Sequence, residues 1–139
     1  MASSIKKLIL VSLTCIFSLL SSHAMAACTI TSEIISSDCS GITAWTTGNI
    51  TINSGVTVSD YIFNNSAVGT FVNNGILFGS LMALYNVDGG AITEIINNGT
   101  IGSTASNKLA IYNVFDSRIT KLTNNGTLLG GQSILWRNF

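Results

Sequence analysis

The chain has 139 residues, of which 47% are hydrophobic, with 13 glycines and no proline; that is room for one domain and excludes a multidomain enzyme. Six basic and six acidic residues give zero formal charge. Only 9% of residues are charged, against roughly 25% in soluble domains, so Ser, Thr and Asn carry the polarity, and the lack of a Lys/Arg cluster excludes the electrostatic footprint of a nucleic-acid binder.

At the N-terminus Lys6 and Lys7 precede an apolar run over residues 8–20, and Ala24-Met25-Ala26 has the small-x-small spacing that a signal peptidase reads. Residues 1–26 are therefore expected to be a cleaved secretory signal, its apolar run too short for a bilayer span of about 20 residues. Cleavage removes Lys6, Lys7, Cys15 and His23 and leaves 113 residues. The mature part then carries Lys108, Arg118, Lys121 and Arg137 against Glu33, Asp38, Asp60, Asp88, Glu94 and Asp116, and no histidine. That excludes Ser-His-Asp and Cys-His catalysis and the His-bearing zinc sites. No catalytic residue, metal ligand set or cofactor is expected.

Residues 27–49 follow as an N-terminal cap segment containing Cys28 and Cys39. In an oxidising compartment the pair predicts an intrachain disulfide stapling the N-terminus. Met25-Ala26-Ala27-Cys28 also has the form of a lipoprotein box, in which the Cys28 thiol would be acylated and anchor the chain. Both readings stay open at this point.

From residue 50 to 139 the chain repeats. Ile50 to Val58 looks like an initial, atypical rung, and Ile62-Phe63-Asn64 leads to the first of three Asn-Asn-Gly triplets. These lie at Asn73-Asn74-Gly75, Asn97-Asn98-Gly99 and Asn124-Asn125-Gly126, 24 and then 27 residues apart, the range in which solenoid rungs recur. Residues 92–102 align without gaps on residues 119–129, and Ala83-Leu84-Tyr85-Asn86 matches Ala110-Ile111-Tyr112-Asn113. The three extra residues of the second period fall within residues 103–108, as a loop on one face.

Within each repeat an apolar residue, Asn, Gly and a second apolar residue share one parity (Ile95, Asn97, Gly99 and Ile101; Leu122, Asn124, Gly126 and Leu128; Phe71, Asn73, Gly75 and Leu77), the pattern of an extended chain with one inward face. Asn-Gly pairs also mark hairpin turns; against that, the order of segments is repeated rather than mirrored. Parallel rungs stacked about 4.8 Å apart would align Asn73, Asn97 and Asn124 as one internal amide ladder and Asn64, Asn86 and Asn113 as a second. The second asparagines, Asn74, Asn98 and Asn125, with Gly75, Gly99 and Gly126, are expected at bends needing a left-handed conformation. Tyr85 and Tyr112 occupy equivalent places and form a candidate contact stripe. Asp88 and Asp116 are the best pair for stacked carboxylates, although scattered acids argue against lyase or hydrolase chemistry. Trp45 and Trp136 lie near opposite ends and are expected to cover open rungs.

The body I-x-x-L-x-N-x-G-T-I followed by A-I-x-N, over roughly residues 50 to 138, resembles the passenger region of autotransporters, the self-exporting surface proteins of Gram-negative bacteria. The resemblance implies an all-β, right-handed parallel β-helix, here of about four rungs, displayed as an adhesive or structural module at the cell surface or outer membrane, or a truncated fragment of such a module, without the family's C-terminal membrane barrel. It implies a host or bacterial surface receptor, protein or glycan, as partner, and an exposed solenoid edge adds self-association. The alternative is a small periplasmic protein or lipoprotein with no adhesive role. The terminal Phe139 is read as chance.

Overall fold

The computed structural model describes residues 25–30, 32–103 and 108–130 and the backbone of 132–136. Among them every regular element is a β-strand, and no helix is long and apolar enough to cross a membrane. Strands come in triplets. The first is β1 (Ile34–Ile35), β2 (Cys39–Ser40) and β3 (Thr43–Ala44); the second β4 (Ile50–Ile52), β5 (Thr57–Ser59) and β6 (Ile62–Asn64); the third β7 (Ala67–Asn73), β8 (Ile76–Gly79) and β9 (Met82–Asn86). The fourth is β10 (Ala91–Asn97), β11 (Thr100–Ser103) and β12 (Leu109–Asn113), and the last β13 (Arg118–Asn124), β14 (Thr127–Leu129) and β15 (Gln132–Trp136).

Each triplet gives one strand to each of three sheets, ordered β1-β4-β7-β10-β13, β2-β5-β8-β11-β14 and β3-β6-β9-β12-β15. All neighbours are parallel. The chain is thus a β-solenoid of about three turns, β4 to β12, flanked by a short first triplet and a less covered last one. The Asn-Gly pairs join strands of different sheets, as the repeated rather than mirrored order predicts, and not the arms of hairpins. The register is that of the sequence alignment: Asn97 lies over Asn73 and under Asn124, Ile101 over Leu77, and Tyr112 over Tyr85. Residues 34–44 also contribute strands, although of two residues each, which accounts for five triplets where the repeat pattern alone predicts about four rungs.

Stacking converts the sequence repeat into three apolar columns, one behind each sheet. The first runs Ile50, Phe71, Ile95, Leu122; the second Cys39, Val58, Leu77, Ile101, Leu128; the third Ile62, Leu84, Ile111. The residues from Ile50 to Ile111 in these columns are fully buried, whereas Leu122 and Leu128 in the last triplet are only partly covered. At about 1.5–3 kcal/mol for each fully buried aliphatic or Phe side chain, these columns are the main source of stability. Strict alternation fails in several strands: Ala83 and Leu84 in β9, and Ala110 and Ile111 in β12, are buried side by side. In β7 and β10, two partly exposed or exposed residues separate the buried pairs Val68/Phe71 and Ile92/Ile95. At this step Thr93 Oγ1 donates to the Val68 carbonyl 3.1 Å away.

The first triplet closes the N-terminal end. Cys28 and Cys39 form a disulfide with Cα atoms 4.8 Å apart. Ala27 bridges Ser40, whose N–H donates to the Ala26 carbonyl at 2.9 Å, so the outer edge of β2 is covered. Trp45 is buried under this end rather than laid across it, its ring 6.0 Å from Phe71 and its Nε1 donating to the Gly48 carbonyl at 3.2 Å. Residues 1–24 of the expected signal, residues 104–107 of the expected insertion and Phe139 lie outside the described residues, as does the Trp136 side chain.

Candidate functional site

Four sets of equivalent residues are brought into register by the stacking: two buried amide ladders, one exposed amide ladder and an aromatic stripe.

The first buried ladder stands at the corner between the first and second sheets. Asn73 Nδ2 donates to Asn97 Oδ1 at 2.8 Å and to the Thr100 carbonyl at 3.0 Å; Asn97 Nδ2 repeats both contacts with Asn124 Oδ1 and the Thr127 carbonyl. Each amide nitrogen therefore satisfies its neighbour and the backbone of the turn above, so the buried Nδ2 groups of Asn73 and Asn97 and the Asn97 Oδ1 all have partners. The ladder starts at Asn73 because the residue beneath it is Ile52, which offers no donor. Asn73 Oδ1 is the buried side-chain atom left without a hydrogen-bond partner among the described residues. The upper end is exposed, where Asn124 Nδ2 folds back to the Gly126 carbonyl.

The second ladder stands at the return corner. Asn64 Nδ2 donates to Asn86 Oδ1 (2.7 Å), and Asn86 Nδ2 to Asn113 Oδ1 (2.6 Å). Each also reaches the turn that follows it, at the carbonyls of Ser66, Gly90 and Ser117. All three asparagines are 0% exposed.

The second asparagines of the Asn-Asn-Gly triplets behave differently from the expectation. None of Asn74, Asn98, Asn125, Gly75, Gly99 or Gly126 adopts a positive φ; among the described residues the positive-φ positions are Ser32, Glu33, Asp60, Asp88, Phe115 and Asp116 and five other glycines. Glycine is required in the triplet for space instead. A Cβ on Gly99 would run into the Gly75 carbonyl, one on Gly126 into the Gly99 carbonyl, and one on Gly75 into the Val56 carbonyl. The turns stack backbone on backbone, and the N–H groups of Thr100 and Thr127 donate to the glycine carbonyls of the turn below, those of Gly75 and Gly99. Asn98 Nδ2 donates to Asn74 Oδ1 and Asn125 Nδ2 to Asn98 Oδ1, both at 2.9 Å. This outer ladder runs donor-down where the inner one runs donor-up, so neighbouring rows of amide dipoles oppose each other.

The aromatic stripe lies on the outer side of the third sheet. Tyr85 and Tyr112 stack with ring centroids 5.4 Å apart and planes 12° apart. Two rings that pairwise inspection of the repeats passes over extend the stripe: Phe63, one turn below Tyr85, meets it edge-on at 5.7 Å, and Tyr61 does so at 6.3 Å. The alignment of Ile62-Phe63-Asn64 on Leu84-Tyr85-Asn86 carries the signal for Phe63; Tyr61 has Ala83 as its equivalent and leaves none. All four rings are partly exposed. Partial burial, reinforced by Tyr112, Asp88 and Tyr61, pushes the Tyr85 phenol above its ordinary pKa, so it stays a neutral donor over the whole physiological range.

Asp88 and Asp116 do not stack. Asn86 lies beneath Asn113 and Ala91 beneath Arg118, with four residues between in each case. Asp88 is therefore level with Phe115, and Asp116 with Gly89. Both carboxylates are exposed on left-handed turn residues, with φ of 51° and 60°. Among the described residues no group of three or more His, Cys, Asp or Glu side chains is close enough to hold a metal ion. Other acids are committed to the frame: Glu33 accepts from the N–H and Nδ2 of Asn49, and Asp38 from the Thr57 N–H at 2.7 Å.

No family model, no curated protein and no solved structure matches this chain.

Proposed function

We propose that the chain is an exported, non-catalytic β-solenoid that serves as a structural or adhesive module at the cell surface, in the manner of an autotransporter passenger. One observation carries the reading: the outer face of the third sheet presents Tyr61, Phe63, Tyr85 and Tyr112 as one fixed, partly exposed row on a rigid parallel frame. Aromatic rings held by their neighbours supply contact area at little conformational cost, and phenol hydroxyls at the rim add hydrogen bonds, which suits a protein or glycan surface better than a small-molecule pocket. The β-solenoid is compatible with a passenger fold. The leader-like N-terminus supports export, and the disulfide supports an oxidising compartment. It also weighs against the lipoprotein alternative, because a Cys28 sulfur bonded to Cys39 has no valence left for a lipid thioether.

The test is protease shaving of intact cells that express the chain, followed by adhesion of those cells to host cells and to one another. Surface cleavage, with adhesion reduced by Tyr85→Ala/Tyr112→Ala while far-UV circular dichroism of the purified variant is unchanged, is the expected result. Recovery solely from the periplasmic fraction, inaccessible to protease, would overturn surface display; unchanged adhesion would overturn the role of the stripe.

A further inference from the structure

We propose that copies of this chain associate end to end along the solenoid axis, the basic last turn of one copy seating on the acidic first turn of the next. The starting observation is charge segregation. Residues 25–107 contain Glu33, Asp38, Asp60, Asp88 and Glu94 and no Lys or Arg; residues 108–139 contain Lys108, Arg118, Lys121 and Arg137 against Asp116 alone. Because the fold is a stack, this order in sequence becomes order along the axis. Glu33 and Asp38 flank β1 and precede β2 in the first triplet, and Arg118 and Lys121 lie on β13, four triplets higher; Lys121 pairs with Glu94 one turn below at 2.7 Å while its side chain stays 65% exposed, and Arg118 is exposed. Four rung spacings are about 19 Å, more than twice the roughly 8 Å screening length at physiological salt, so the two ends act as separate charges of opposite sign.

The ends also have the right shape. β13, β14 and β15 are the last strands of their sheets, and no strand among the described residues pairs with their outer edges. The core is open there as well: Leu122 and Leu128 are partly exposed and Asn124 is exposed, although Ile95, Ile101 and Asn97 at the same positions one turn below are fully buried. At the other end the bridge of Ala27 to Ser40, which the expected cleavage after Ala26 retains, covers β2 alone and leaves the lower edges of β1 and β3 without a neighbouring strand among the described residues. Head-to-tail stacking keeps every strand parallel and in the hand of the solenoid, so β13 continues onto β1 and β15 onto β3. Tail-to-tail stacking would set two copies of β13 antiparallel with Arg118 and Lys121 facing their own kind. A head-to-tail contact uses two different surfaces, so it does not close on itself and propagates. This inference is independent of the aromatic stripe, which lies on the side of the stack and not at its ends.

The experiment is sedimentation velocity on the chain purified from the compartment it reaches, over a wide concentration range in low and in high salt. The expected result is a mass that climbs past dimer with concentration and falls back in high salt. Arg118→Glu/Lys121→Glu is expected to weaken association about tenfold or more, as is Glu33→Lys/Asp38→Lys. An equimolar mixture of these two variants restores both complementary contacts and should assemble again, a recovery that a misfolded variant could not give. The unmodified chain needs no variant to decide the matter: a strictly monomeric mass at every concentration, or one that stops at dimer, overturns the proposal.

Discussion

At the scale of the residue, one amino-acid type does two jobs in adjacent positions. Asn97 and Asn98 are chain neighbours, both in amide ladders, yet Asn97 is sealed in the core and Asn98 faces solvent. Removing the Asn97 side chain leaves the Asn73 donor, the Asn124 acceptor and the Thr127 carbonyl short of a partner and opens a hole between turns. Each buried polar group left without a partner costs about 1–3 kcal/mol, because its desolvation is no longer offset. Asn97→Ala is therefore expected to destabilise the fold by about 3 kcal/mol or more, and Asn98→Ala by less than about 1 kcal/mol, since water replaces what it loses. Urea unfolding of the two variants checks this; equal losses would mean that the inner ladder contributes no more than the outer. The parity of Asn97 with Ile95 and Ile101 makes its inward placement legible in the sequence. The space requirement at Gly99 is not legible, because it arises from a carbonyl on another turn, 24 residues away in sequence.

At the scale of the element, the unit is the triplet. Ala67 is the register partner of Ala91, so residues 67–90 form one 24-residue unit that can be taken out with the ladders and columns on either side brought into contact again. Ile50 would then meet Ile95, Ile52 would meet Asn97, and Asn64 would meet Asn113. Solenoid stability is close to a sum over turns and their nearest-neighbour interfaces. Deletion of residues 67–90 is expected to give a folded chain with the same β-type circular dichroism and a lower melting temperature. Deleting the single residue Ile96 from β10 is expected to do more harm, since it shifts the alternation and turns Asn97 and the turn after it out of register. Thermal melts of the two deletions decide between this and a fold held together by particular long-range contacts. The abundance of Thr, Ile and Gly in the repeats argues against helix from the sequence alone. The break in alternation inside β7 and β10 is not legible in the sequence, because Val68/Phe71 and Ile92/Ile95 depart from the period of two that identifies a strand.

At the scale of the whole molecule, the ends matter most, because a stack has no sequence-distant partner to cover them. The N-terminal end is held by Cys28–Cys39, which are 11 residues apart. Closing a loop of that size in the unfolded chain corresponds to about 3 kcal/mol. Cys28→Ser/Cys39→Ser is expected to lose about 2–3 kcal/mol and to lower the melting temperature by roughly 10 °C. Reduction of the unmodified chain should do the same, and a melting temperature indifferent to reductant would show that the strap at Ala27 closes the end without the disulfide. The other end has no such strap among the described residues, and the partial exposure of Leu122 and Leu128 measures that difference.

The sequence by itself determined the architecture. A 24- to 27-residue period, inward parity of Asn with Ile, Leu and Phe, and repetition without mirroring leave a parallel stack as the arrangement that satisfies the amides and buries the apolar residues together. It also determined the charge order, which a stack turns directly into geometry. Tertiary structure decided what depends on the offset between turns. The glycines are small because turns touch, not because the chain bends left-handed there. Tyr61, whose repeat equivalent is Ala83, joins the aromatic stripe without any sign of it in the repeats. The physical reason is the same in each case: parity along a strand is a property of neighbouring residues, whereas height along the axis depends on how each corner is traversed, and corners carry no period.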